Sequence, residues 1–317
     1  MRIAVLDDYQ RVATTIGGWD RLPSSFEVVP FHDHVADADG LVARLSNFDI
    51  VCAMRERTPL PAAVIERVPR LKLIVTSGGR NASIDVTAAA SCGVTVCGTE
   101  GSGPATAELA VALLLESARD LSAEMASVRA GGWQVGVGRT LAGKTLGVLG
   151  LGRLGSKVAR IGAAMDMEIL AWSQNLTAGR AKEVGATLVG RDELFRRADY
   201  LTVHLVLSER TRGLVGEREL GLMKPDAALV NTSRAAIVDT PALLRALAAG
   251  RLRRAALDVF DSEPLPPSDP IRDTPGVVAT PHIGYVTRET YEAFFSGYVE
   301  AILGFVEGRP IRVLSPG

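Results

Sequence analysis

Short apolar runs separated by stretches of helical spacing recur along the whole chain. Those at 3–6, 26–31, 49–54, 71–76 and 94–97 read as buried strands, with helical patterns such as 41–46 and 61–67 between them. Strands alternating with helices predict parallel α/β units, so residues 1–100 are expected to form a small doubly wound domain. A linker follows at 101–104. Residues 105–129 then carry a long helical pattern, with Ala110, Leu113, Leu114 and Ser117 on one face and a break near Arg119 and Asp120. Its length suits a helix that bridges two domains. Residues 133–142 read as a loop or arm, suited to packing or subunit contact. The alternation then resumes. Strands are expected at 145–149, 168–172, 187–189, 200–205, 227–231, 255–259 and 277–280, with helices at 156–165, 178–184, 192–197 and 240–249. These make a second, larger doubly wound domain. A last helical pattern at 287–307 is expected to return to the first.

The join between 145–149 and the next helix holds Gly150, Gly152 and Gly155 in the spacing G-x-G-x-x-G. Strand, glycine turn and helix together raise this motif above a chance match. Gly150 allows the tight turn, Gly152 lets the backbone approach a pyrophosphate, and Gly155 lets helix and strand pack closely. The free N–H groups at the helix start suit an anion. The first strand of the chain is followed instead by Asp7 and Asp8, which disfavour a pyrophosphate there.

A dinucleotide needs a partner for its ribose at the end of the second strand, and a carboxylate there specifies NAD. Here Ser173, Gln174 and Asn175 follow that strand. Nothing in them repels a 2′-phosphate, and Ser173, Asn175 or Arg180 could bind one. The expected cofactor is NAD or NADP.

Composition narrows the classes further. At 317 residues the chain exceeds one ordinary core. Its net charge of −1 gives no case for nucleic acid or an anionic membrane surface as partner. Three cysteines without C-x-x-C spacing suggest reduced thiols. No apolar run approaches the roughly 18 residues of a membrane span. The expectation is a soluble cytoplasmic protein without a metal.

Three polar residues follow strand-like runs: Arg234 after 227–231, Glu263 after 255–259 and His282 after 277–280. They are expected at one sheet edge, where ligands of such folds bind. Gly79 and Arg80 follow the fourth strand of the first domain, where backbone N–H groups and a guanidinium can receive an anion.

The segments Gly150-Leu-Gly-Arg-Leu-Gly155, Leu222-Met-Lys-Pro225, Val230-Asn-Thr-Ser-Arg234, Leu257-Asp-Val-Phe260, Ser262-Glu-Pro264 and Thr280-Pro-His-Ile-Gly284 resemble the D-isomer-specific 2-hydroxyacid dehydrogenases. The resemblance implies an α/β chain with two doubly wound, Rossmann-like domains and the active-site cleft between them. The substrate-binding domain would be residues 1–100 with 285–317, and the dinucleotide-binding domain 101–284. It implies a hydride transfer between NAD(P)H and C2 of a small 2-keto or D-2-hydroxy acid, and a homodimer. Arg234 would hold the substrate carboxylate and carbonyl, His282 would be the acid in reduction and the base in oxidation, and Glu263 would pair with His282. Gly79 and Arg80 would bind the carboxylate. Thr106, Arg153, Leu154, Thr232, Asp258 and Gly284 would contact the cofactor, with Asp258 at the nicotinamide amide.

The chemistry matches these residue types. Hydride arrival at C2 builds negative charge on the carbonyl oxygen, which a proton donor and a fixed cation stabilise. An arginine fork suits a planar carboxylate. The chain departs from the family pattern at Ala235 in place of a glycine, Val206 in place of a frequent proline, Arg80 in place of a loop glycine and Ser173 in place of an aspartate. Arg80 would add a cation for a more acidic substrate. Two other readings share the fold: formate or phosphite oxidation, the first disfavoured by Glu263, and a non-enzymatic dinucleotide-sensing scaffold resembling the C-terminal binding protein corepressors.

Overall fold

The computed structural model describes residues 1–101 and 103–315; the linker reading at 101–104 includes Ser102, which lies outside the described residues. Strands form where the apolar runs are, with bounds within two residues of those expected. Five of them, β1 (Arg2–Val5), β2 (Glu27–Pro30), β3 (Ile50–Ala53), β4 (Leu73–Thr76) and β5 (Thr95–Gly98), build a parallel sheet in the order β2-β1-β3-β4-β5. β3 and β4 are buried along their whole length, because helices cover both faces of a parallel sheet. The long helix Arg288–Val306 packs on β4 and β5, burying Phe294, Phe295 and Tyr298, and the Tyr298 hydroxyl donates to the Ala53 carbonyl at 2.9 Å.

Seven further strands follow: β6 (Thr145–Leu149), β7 (Glu168–Trp172), β8 (Thr187–Leu188), β9 (Tyr200–Val203), β10 (Ala228–Asn231), β11 (Arg254–Leu257) and β12 (Val277–Ala279). They form a second parallel sheet in the order β12-β11-β10-β9-β6-β7-β8. The order reverses beside β6, the place where doubly wound sheets bind ligands. Each face has its own core: Leu146 and Val148 pack with Tyr200 and Ala228, while Leu149 packs with Leu201, Leu229 and Leu257. The contacts divide the chain into unit 1, Met1–Gly103 with Val286–Gly317, and unit 2, Pro104–Tyr285.

The helical pattern at 105–129 is two helices, Ala105–Arg119 and Leu121–Arg129, joined at Asp120 in a left-handed conformation with φ 57°. Bidentate bonds from Arg254 at 2.8 and 2.7 Å hold the Asp120 carboxylate in place and keep its pKa below the usual range. The helices Val86–Ser91 and Glu217–Leu222 have no counterpart among the expected elements. They are too short for a clear apolar period. An Asp85 side chain caps the first, accepting from the Ala88 N–H.

Candidate active site

β6 ends at Leu149, and the glycine turn follows at once. Gly150 has φ 106°, and a Cβ there would lie 2.8 Å from both the His204 carbonyl carbon and the Leu205 nitrogen. A Cβ on Gly155 would lie 2.1 Å from the Gly150 oxygen. These two positions therefore exclude any side chain. Gly152 differs, because a Cβ there would meet nothing within 4 Å. It is the N-cap of the helix Arg153–Ala164, whose first turn holds no carboxylate. The positive end of this helix therefore suits an anion.

Two further observations test whether these residues suit a dinucleotide. The Gly150 N–H donates to the Trp172 carbonyl at 2.8 Å, which sets the end of β7, and so half-buried Ser173, beside the turn. The Thr232 hydroxyl, just past β10, is buried without a hydrogen-bond partner among the described residues. An open backbone cradle, an uncapped helix end and an orphaned buried hydroxyl fit such a group. Arg153 is exposed and Leu154 half-buried in the first helical turn.

On the other side of the reversal, β10, β11 and β12 lie side by side and each delivers one polar residue past its carboxyl end. His282 follows β12 in a left-handed conformation, φ 51°. Its Nδ1 meets Glu263 Oε2 at 2.5 Å. The other oxygen, Oε1, accepts the Phe260 N–H at 2.9 Å, so the carboxylate is fixed before it meets the ring. Both side chains are partly open, at 20% and 25% exposure. That combination leaves Nε2 as the nitrogen free to face a substrate.

Arg234 follows β10 through a turn made by Asn231. The Asn231 side chain accepts from the Ser233 N–H at 3.0 Å and donates to the Arg234 carbonyl at 3.0 Å. This self-bonded asparagine turn presents a half-buried Arg234, whose Nη1 donates to the Ser233 carbonyl at 2.8 Å.

Asp258, at the end of β11, is fully buried. Its Oδ1 accepts from the Thr280 hydroxyl at 2.7 Å and the Ile283 N–H at 2.8 Å, and its Oδ2 from the Gly284 N–H at 2.8 Å. Burial pushes its pKa up, and these bonds together with His282 oppose the rise. Asp258 thus ties the turn that carries His282. Gly284 is boxed in: a Cβ there would lie 3.0 Å from Asp258 Oδ2 and 3.1 Å from Thr106 Cγ2.

Gly79 and Arg80 lie in unit 1, exposed, beyond β4. Gly78 before them has φ 88° and donates its N–H to the Thr99 hydroxyl at 2.7 Å. Arg55, itself at φ 53°, donates its N–H to the Ser77 hydroxyl at 2.8 Å and Nη1 to the Ser77 carbonyl at 3.2 Å. A Cβ on Gly78 would collide with this guanidinium, 2.2 Å from Nη1.

Sequence reading missed several contributors. Arg55 gave no signal beyond following β3. Asn231 could have been found as a turn-forming residue at a strand end. His204 follows β9 at the point where the strand order reverses. Burial lowers its pKa to about 4, and its Nε2 meets the Thr202 hydroxyl at 2.9 Å. Among the described residues no cluster of His, Cys, Asp or Glu could hold a metal, and no helix is long and apolar enough to cross a membrane.

A doubly wound unit with an open glycine turn and a hydrogen-bonded His–Glu pair at one sheet edge defines a dinucleotide-dependent class of protein. Comparison with known proteins specifies it. Residues 111–284 match the D-isomer specific 2-hydroxyacid dehydrogenase NAD binding domain. A glyoxylate reductase from Aeropyrum pernix is 41% identical over 256 residues, covering 78% of this chain and 76% of that protein. A D-3-phosphoglycerate dehydrogenase from Archaeoglobus fulgidus is 36% identical over 86% of this chain, which spans only 52% of that longer relative. The crystal structure of a phosphoglycerate oxidoreductase from Vibrio cholerae superposes with a TM-score of 0.93 at 38% identity, covering 97% of this chain and 99% of that one. The chain belongs to the D-isomer-specific 2-hydroxyacid dehydrogenase family. The scaffold, formate and phosphite readings are not favoured by these relatives.

Proposed function

We propose that this protein is an NAD(P)-dependent oxidoreductase that interconverts a small 2-keto acid, such as glyoxylate or hydroxypyruvate, and its D-2-hydroxy acid. The observation that carries this reading is the His282–Glu263 pair, with its carboxylate pre-set by the Phe260 N–H. A bound reduced nicotinamide supplies the hydride that adds to C2. His282 donates the Nε2 proton to the carbonyl oxygen, and the neutral ring stays bonded to Glu263 through Nδ1. In oxidation the same nitrogen takes the hydroxyl proton. Arg234 holds the carboxylate and the developing oxyanion through its fork. Gly79 and Arg80 bind the carboxylate end of the substrate. Gly150, Gly152, Gly155, Arg153 and Leu154 would hold the pyrophosphate of the cofactor, and Thr232, Thr106, Asp258 and Gly284 would hold its nicotinamide half.

Ser173 in place of a carboxylate supports use of NADPH at least as readily as NADH. A homodimer is supported by the helix Leu121–Arg129, which buries none of its own residues and leaves Leu121, Met125 and Val128 exposed.

The test is a panel of 2-keto acids with NADH and NADPH, run on the parent, His282→Ala and Ser173→Asp. The parent should reduce at least one acid, His282→Ala should lose about 10²–10⁴-fold in turnover with dinucleotide binding retained, and Ser173→Asp should favour NADH. A parent that reduces none of them sinks the reading.

A further inference from the structure

We propose that Tyr285 is a positioning residue for the acid–base histidine, resting on the catalytic reading of His282 given above. One hydrogen bond at Nδ1 fixes one point of the imidazole. The ring can still rock through coupled changes of χ1 and χ2 that keep Nδ1 near Glu263 Oε2, and that rocking displaces Nε2, the nitrogen that exchanges the proton. The strained φ of 51° sets the His282 backbone and does not stop the rotation. Tyr285 does: its ring stands edge-to-face with the imidazole, centroids 5.6 Å apart and planes at 76°. This is the preferred geometry of an aromatic pair.

Tyr285 is well placed to act as a stop because it is itself immobilised. It is only 5% exposed, and the residue before it, Gly284, is anchored through its N–H to buried Asp258 at 2.8 Å. The same Asp258 carboxylate holds the Ile283 N–H and the Thr280 hydroxyl. The turn 280–285 therefore carries both the histidine and its stop on one anchor, with Glu263 approaching the ring from β11. The ring of Tyr285, and not its hydroxyl, makes the contact.

Proton donation depends on the in-line placement of Nε2, so release of the ring should reduce turnover and leave binding alone. The experiment measures kcat and KM with the best 2-keto acid of the panel, the solvent isotope effect on kcat, and dinucleotide Kd. The variants are Tyr285→Leu, Tyr285→Phe and Tyr285→Met, the last filling the space without a ring should the leucine variant not fold. Tyr285→Leu and Tyr285→Met should lower kcat by about 10-fold with little change in KM or dinucleotide Kd. Their solvent isotope effect should rise, because proton transfer limits turnover more. Tyr285→Phe should restore kcat to within about threefold of the parent, since the ring is back. Parental kcat in the leucine and methionine variants overturns the proposal. So does an equal loss in the phenylalanine variant, or a loss that comes with weakened dinucleotide binding and an unchanged isotope effect. An inactive parent overturns the catalytic reading and this proposal with it.

Discussion

The two doubly wound sheets end their first strands in opposite ways. Beyond β1, the turn is filled by the chain's own anions. Asp8 accepts the Val12 N–H at 2.9 Å and the Ala13 N–H at 3.2 Å, and Asp7, at φ 59°, accepts the Thr58 hydroxyl at 2.7 Å. Both carboxylates are almost fully buried, and the Arg57 guanidinium donates to the Asp7 carbonyl at 2.9 Å. Beyond β6, the corresponding turn has glycines, no carboxylate and an open space at Gly152. The sheet architecture alone therefore does not make a phosphate site. What matters is whether the backbone donors at the strand end are already taken.

The largest effect is expected when the second turn is made like the first. Gly152→Asp places a carboxylate at a helix N-cap, in a backbone conformation, φ −84°, that aspartate adopts freely. A Cβ has room there. The variant should fold with equal or higher Tm, since aspartate is a favoured cap. Dinucleotide binding should weaken by at least about 100-fold, because the new charge competes for the same N–H groups and repels the pyrophosphate. Gly152→Ala, lacking the charge, should lose much less. Titration of dinucleotide into both variants decides it, and unimpaired binding in Gly152→Asp would remove the turn from the cofactor site.

A smaller effect sharpens what the second unit's sheet edge does. Glu263→Gln keeps the shape but replaces a carboxylate with an amide beside His282 Nδ1. The imidazole loses the carboxylate that holds its Nδ1 side, so reduction should slow. Turnover in reduction at neutral pH should drop by roughly 10-fold, with dinucleotide Kd unchanged. Steady-state kinetics of the variant beside the parent test it, and parental kcat in Glu263→Gln would dissolve the pair.

Much of this architecture was legible in the chain. A strand buried on both faces of a parallel sheet must be largely apolar, so β3, β4 and β6 announce themselves as short runs without polar interruption. The glycine turn is legible because its reasons are steric and local: 2.1 Å between a Gly155 Cβ and the Gly150 oxygen forbids anything larger. What pattern does not carry is the arrangement of partners distant in sequence. Asp258 reads as a strand-end acid, yet three donors from 280–284 converge on it. The same holds for Arg55 beneath Gly78; Tyr285 and His282 are near in sequence, but the edge-to-face contact of their rings exists only in the folded turn. The helix break at Asp120 was visible in the pattern, but the Arg254 fork that holds it lies far along the chain.

The first unit offers the converse test, with an effect on stability and none on binding. Asp8→Asn leaves one acceptor oxygen for two backbone donors and turns an amide NH₂ toward one of them. A buried N–H left unpaired costs about 1–3 kcal/mol. Hydrogen exchange across residues 9–16 should accelerate and Tm should fall, while dinucleotide Kd stays at the parental value. A change in Kd with unchanged exchange would mean that this turn, too, serves the cofactor.

The smallest effect near neutral pH concerns histidines in the two units. His32 and His34 of the first unit stand 3.3 Å from the carboxylates of Asp8 and Asp7. His204 of the second meets the Thr202 hydroxyl, and burial lowers its pKa from 6.5 to about 4. The sign follows from proton uptake. Between these two values the unfolded chain binds a proton at His204 that the native state refuses, so this residue makes stability fall as pH falls from 6.5 towards 4. The loss is about 1 kcal/mol by about pH 5.5 and vanishes above neutrality, where neither state is protonated. His204→Gln retains a hydrogen-bonding group for Thr202 without a titrating ring. Its Tm should therefore decline less steeply than the parent's across that acid window, with the two curves parallel above about pH 7.5. Thermal melts at closely spaced pH values measure the slope directly. Equal slopes would show that His204 takes up its proton in the native state as readily as in the unfolded chain, and that the end of β9 is open to water.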